Sequence, residues 1–98
     1  MHIMLSKFGD TLISRQSGKE AYGAFRPVLQ EVKPHETIII DFEGVTTFSP
    51  SWGDEFLTPL FADFKNPVEF LHAIENPSVR LTLQLLEKIK GVRFVFHE

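Results

Sequence analysis

The most constraining stretch is "TIIIDF", Thr37 to Phe42. Three consecutive isoleucines leave no polar face. Such a run is typical of a strand buried on both sides, as in a parallel sheet covered by helices. The residues around it read accordingly as alternating strands and helices.

Upstream, His2 to Leu5 is short and apolar, "KFGD" supplies turn residues, and Thr11 to Ser14 is a second short run. Together they suggest a hairpin. Ser17-Gly18-Lys19-Glu20 has the pattern of a capping box. Ala21, Tyr22, Phe25, Val28, Leu29 and Val32 then fall at helical spacing, with a kink expected at Pro27 and an end at Pro34. After "EGVTTFSP", which reads as a loop, helical spacing returns from Ser51 to Phe64. Trp52, Phe56, Leu60 and Phe64 form one stripe, and Pro59 is a second interior proline. Val68 to Ile74 reads as a strand. Asn76-Pro77 is a helix start, and Val79, Leu83, Leu85, Leu86 and Ile89 carry the helix to Gly91. Val92 to His97 reads as a last strand. The order ββαβαβαβ implies one α/β domain over residues 1–98. Its single, mixed, mostly parallel sheet would have about five strands and about three crossover helices.

Composition narrows the function. A hydrophobic fraction of 43%, with ten phenylalanines, is enough for a core without staples. The absence of cysteine excludes disulfides, thiolate metal sites and a cysteine nucleophile. A net charge of −3 argues against a nucleic-acid partner, whose phosphates need a basic face. No apolar run reaches the length of a membrane span, and the N-terminus lacks the pattern of a signal peptide. The expected location is the cytoplasm.

Sites in open α/β sheets lie beyond the carboxyl ends of strands. This points to "TTFSPSWGDEF", which follows the isoleucine strand. Ser51 can cap the following helix, with Asp54 reaching back to it, and Asp54 and Glu55 suit the positive end of the helix dipole. Ser49 competes as cap, because Pro50 would then take the first helical position. Catalysis by either serine needs a base and an orienting group. None of His2, His35, His72 and His97 lies in a recognisable motif, and no glycine-flanked nucleophile elbow is present. The spacing of histidines and carboxylates matches no standard metal site, and no cofactor is implied. A phosphate on an exposed serine here would bring about two negative charges close to Asp54 and Glu55. That repulsion suits the ejection of a partner.

"IIIDFEGVTTFSPSWGDEFLTPLF" resembles the central motif of the STAS-like family, a bacterial domain of unknown function. The family pattern is a strand ending in Asp, a "gV" step, a serine-bearing turn, and a helix with "DE" near its start. Ser14-Arg15 in "LISRQSGKEA" is similar to the family's "SR" signature. The likeness covers most of the chain. Wider relatives are the STAS antagonists of anti-sigma factors, whose Asp-Ser-Ser-Gly turn is phosphorylated on its second serine. Ser51 matches that serine by position. Ser49, Pro50 and Trp52 stand where the antagonists have Asp, Ser and Gly.

The resemblance implies a non-catalytic regulatory domain. Its implied partner is a histidine-kinase-like or anti-sigma-like ATPase, bound through the serine loop and the next helix. Carried over by position, the partner-binding residues are Phe48, Ser49, Ser51, Trp52, Asp54 and Glu55, with Arg15 in support. Trp52 is the expected anchor, since tryptophan is enriched in interface hot spots, although core packing on Phe56 and Leu60 would equally explain it. The alternative is a sensor domain in which the same loop takes a nucleotide or metabolite.

Overall fold

The computed structural model describes residues 1–97. The isoleucine strand, β3 (Ile38–Asp41), lies between β1 (His2–Met4) and β5 (Val68–Leu71). The edge strand β6 (Val95–His97) completes a four-stranded sheet in the order β1-β3-β5-β6. Every pairing is parallel. The α/β architecture read from the sequence is therefore present, with three helices: α1 (Arg15–Leu29), α2 (Pro50–Asp63) and α3 (Pro77–Lys90).

The strands advance in one direction across the sheet. Right-handed crossovers then place all three helices on the same face. Burial follows this geometry. Ile3, Ile40 and Phe70 lie in one row across the strands and are inaccessible to solvent. The opposite row, His2, Ile39, Glu69 and Val95, is half-buried or exposed. The isoleucine strand is thus covered by helices on one side only. An apolar triplet cannot distinguish this from double coverage, because Ile39 keeps its place at the sheet centre between its neighbours on β1 and β5.

The hairpin expected at the N-terminus does not form. Leu5–Phe8 makes a 3-10 turn that carries the chain out of the main sheet. β2 (Thr11–Leu12) then pairs in parallel with β4 (Thr47–Phe48), inside the stretch that reads as a loop. A Gly-Asp turn is compatible with either route. Long-range pairing with residues 47 and 48 decides it.

The N-cap of α1 is Ser14, whose Oγ accepts from the Ser17 N–H at 3.0 Å. The anticipated Ser17–Glu20 box is displaced by one turn. The helix ends at Leu29, ahead of Pro34, and its end tightens into Glu31 N–H to Val28 and Val32 N–H to Leu29 bonds. Both α1 and α2 continue through their internal prolines, Pro27 and Pro59. Asn76 caps α3, and Gly91 ends it with φ +66, the left-handed region where glycine costs least.

The helical layer packs on aromatic rings. Trp52 stacks on Phe56 with centroids 5.2 Å apart and an interplanar angle of 15°. Tyr22 meets Phe56 edge-on, joining α1 to α2. Phe42 and Phe48 meet at 4.9 Å, below the start of α2. Each fully buried side chain of this kind contributes about 1.5–3 kcal/mol through removal of apolar surface from water. Among the described residues no helix is long and apolar enough to cross a membrane.

Candidate functional site

The site predicted after the isoleucine strand is built on the β2–β4 ladder. The Ser49 N–H donates to the Leu12 carbonyl at 2.9 Å, which anchors the start of α2 against the first ladder strand. Ser49 Oγ accepts from the Trp52 N–H at 3.2 Å and donates to the Ile13 carbonyl at 2.7 Å. Ser49 is therefore the N-cap, and Pro50 takes the first helical position. Ser51 is left without the capping role. It sits half-buried one residue into the helix, at the rim of a shallow groove.

Two of the predicted contact residues are core residues. Phe48 is 2% and Trp52 1% exposed, so neither presents an anchor at the surface. The helical stripe explains this. Trp52 is one turn before Phe56, and that face of α2 packs on Phe8, Tyr22 and Phe48. Phe48 instead positions the site through its backbone. Its carbonyl accepts from Thr82 Oγ1 at 2.7 Å, and its N–H donates to Ser78 Oγ at 3.0 Å. These bonds fix α3 beside the start of α2.

Arg15, Asp54 and Glu55 do come together. Arg15 Nη1 donates to Asp54 Oδ2 at 3.1 Å and reaches Glu55 Oε1 at 3.4 Å. Asp54 also accepts from Lys90 at 3.3 Å and from Thr58 Oγ1 at 2.7 Å. Lys90 in turn donates to Thr58. The Thr58 hydroxyl chiefly holds the Asp54 carboxyl below the usual range; burial opposes it, and Arg15 and Lys90 assist. The network joins the first turn of α1, the second turn of α2 and the last turn of α3. Because Ser49 and not Ser51 is the cap, Asp54 and Glu55 lie beyond the first turn, away from the helix end that sequence reasoning assigned them. Asp54 makes no reciprocal cap with Ser51, because its oxygens point sideways to these partners.

Beside this network runs an apolar surface that sequence periodicity did not separate from the core. Leu81, Leu85 and Ile89 are spaced by four along α3 and are 59%, 42% and 68% exposed. Their partners in the helical pattern, Val79, Leu83 and Leu86, are buried. Ile89 lines the groove with Arg15, Pro50, Ser51, Asp54 and Leu86, a space of about 150 Å³. Ile13, whose carbonyl receives the Ser49 hydroxyl, is 50% exposed. Alternating heptad-like spacing in α3 could have signalled a second apolar face, but not which face packs inward.

Neither Ser49 nor Ser51 is hydrogen-bonded to a histidine or carboxylate among the described residues. Two of the four histidines meet elsewhere. Asp41, 3% exposed at the carboxyl end of β3, faces His2 Nε2 at 2.7 Å and His72 Nδ1 at 2.9 Å. Burial pushes the Asp41 carboxyl up, but the Glu43 N–H and the two imidazoles outweigh it and hold it below the usual range. The hydrogen bond to Asp41 raises the His72 pKa against the opposing effect of desolvation. This cluster was invisible in the sequence because it depends on register: Leu71 pairs with Asp41, so His72 follows directly beside it. Among the described residues no group of three or more His, Cys, Asp or Glu is arranged to hold a metal ion.

Comparison with protein-family models, with curated proteins and with solved structures finds no match to this chain.

Proposed function

We propose that this chain is a cytoplasmic regulatory domain that performs no chemistry of its own and binds a protein partner. The binding surface is the start of α2 together with the outer stripe of α3. The observation that carries this reading is the juxtaposition of exposed Ile89, at the end of the stripe that includes Leu85, with Ser51 and the Arg15–Asp54–Lys90 network. Apolar anchors beside a polar rim are the usual composition of a protein interface. Ile89 takes the anchoring role that Trp52, in the core, does not fill.

The partner class follows from the resemblance to STAS-like domains and is a histidine-kinase-like ATPase. Phosphorylation of Ser51 would switch the contact. About two added negative charges beside Asp54 and Glu55 would compete for Arg15 and Lys90 and repel an acidic partner surface. The alternative of a small-ligand sensor has less support. The groove at Ser51 is about 150 Å³, whereas pockets that enclose small ligands span about 300–1,000 Å³. The four-stranded sheet also has no reversal of strand order, the feature that opens a ligand crevice in doubly wound sheets.

Calorimetric titration of the purified chain against the histidine-kinase-like ATPases of its own host tests the proposal. Binding is expected for the unmodified chain, and affinity at least about tenfold lower for Ser51→Glu and for Ile89→Lys, each a loss of about 1.4 kcal/mol. Equal affinity for all three, or no binding to any such ATPase, would contradict it.

A further inference from the structure

The His2–Asp41–His72 cluster lies outside the surface just described, yet its polar contacts lead to it. His72 has a φ of +56, a left-handed conformation uncommon for a residue with a side chain. It opens the loop from β5 to α3, and that loop ends at Asn76. Asn76 Oδ1 caps α3, accepting from the N–H groups of Ser78 and Val79. Asn76 Nδ2 donates to the carbonyls of Val45 at 2.9 Å and Thr46 at 3.2 Å. Those two residues lead directly into β4, Ser49 and α2. The loop after β3 and the loop after β5 are thus fastened to each other at one end by Asn76 and at the other by Asp41 and His72.

The second imidazole nitrogen makes this fastening proton-dependent. His72 Nδ1 is engaged by Asp41, while Nε2 stands 3.8 Å from Glu43 Oε2. Glu75, on the loop to α3, adds a third carboxylate that favours a charged ring. From β1, His2 faces the other oxygen of Asp41. The space between the two loops, about 210 Å³, is lined by Glu43, His72, Glu75 and Asn76.

We propose that His72 is a proton-operated latch between the loop after β3 and the loop after β5, closed when both ring nitrogens carry protons. In the closed state Nδ1–H donates to Asp41 and Nε2–H faces the Glu43 carboxylate. Loss of the Nε2 proton leaves Nδ1–H on Asp41 but turns a lone pair toward Glu43. The Glu43 side then releases, and the two loops stay joined only through the Asp41–His72 bond and Asn76. Because charged His72 is favoured in the folded chain, the latch is closed below the ordinary histidine range and opens as pH rises through the folded value.

The isolated full chain tests this without any partner, so the result is independent of the binding proposal. NMR would follow the His72 ring resonances and the protection of the Gly44 to Thr46 and Asn76 to Val79 amides, between about pH 5.5 and about pH 8.5. Protection should fall several-fold, with a midpoint at the His72 titration. His72→Asn suits the left-handed backbone and still donates to Asp41, and it should abolish that dependence. Glu43→Gln alters an exposed side chain and keeps the Asp41 bond, and it should shift the midpoint to lower pH. Protection that does not vary with pH, or a midpoint unmoved in Glu43→Gln, or one that follows His2 instead, would overturn the latch.

Discussion

A Cβ at position 18 would lie 2.7 Å from the Trp52 carbonyl oxygen and 3.0 Å from its Cα. These are backbone atoms, so they cannot swing aside. Gly18 lets α1 pass directly against the backbone of α2 at Trp52. Gly18→Ala should destabilise the fold by about 1–3 kcal/mol through overpacking. Urea unfolding followed by the fluorescence of Trp52, the sole tryptophan, would measure it. The two serines of "SPS" separate by a similar comparison. Ser49→Ala should cost about 1 kcal/mol as the loss of a helix cap. Ser51→Ala should stay within about 0.5 kcal/mol. Equal losses at the two sites would contradict the assignment of the cap to Ser49. In the sequence both serines satisfied the same rule. The bonds of Ser49 to the Leu12 and Ile13 carbonyls, across the β2–β4 ladder, separate them.

The elements differ in how much of them could be read locally. α3 was legible at both ends, because Asn76-Pro77 and Gly91 are local signals whose geometry needs no distant partner. The N-terminal strands were not, because β1 and β2 pair with β3 and β4 more than thirty residues away. Burial was legible for Phe56 and Leu60 of α2, whereas Trp52 was open between a surface anchor and the core, and it is inside. Burial was not legible for α3, which has two apolar faces and buries one. The outer face supplies a test at this scale. Leu85→Lys with Ile89→Lys should change unfolding stability by no more than about 0.5 kcal/mol per site, as for surface positions. The same pair should abolish partner binding. A large loss of stability would show that the stripe belongs to the core and would remove the apolar half of the proposed surface.

For the whole molecule, the pattern of ionisable groups predicts a pH profile. The folded chain holds the carboxyls of Asp41 and Asp54 below their usual range, and that of Glu36, bonded to the N-terminal amine, likewise. Their contribution is present above the ordinary carboxylate values and is lost as pH falls through the folded ones. His72 acts in the opposite sense: its contribution is complete below the ordinary histidine value and is lost as pH rises through the raised one. The urea midpoint should therefore be highest near pH about 5.5, and lower near pH about 3 and near pH about 8. A midpoint that rises steadily to pH about 8 would contradict this arrangement. The α/β order was legible because strand and helix periods alternate along the chain. The one-sided covering of the sheet was not, because it follows from the direction in which successive strands are added.

The central claim is that one surface, formed by the start of α2 and the outer stripe of α3, receives an ATPase partner. Amide chemical-shift mapping of the isotope-labelled chain, on addition of a histidine-kinase-like ATPase from its host, tests it most directly. The account predicts perturbations concentrated at residues 13–15, 50–55 and 85–90. Perturbations confined to the uncovered face of the sheet, around Ile39, Glu69 and Val95, or none at saturating partner, would contradict it.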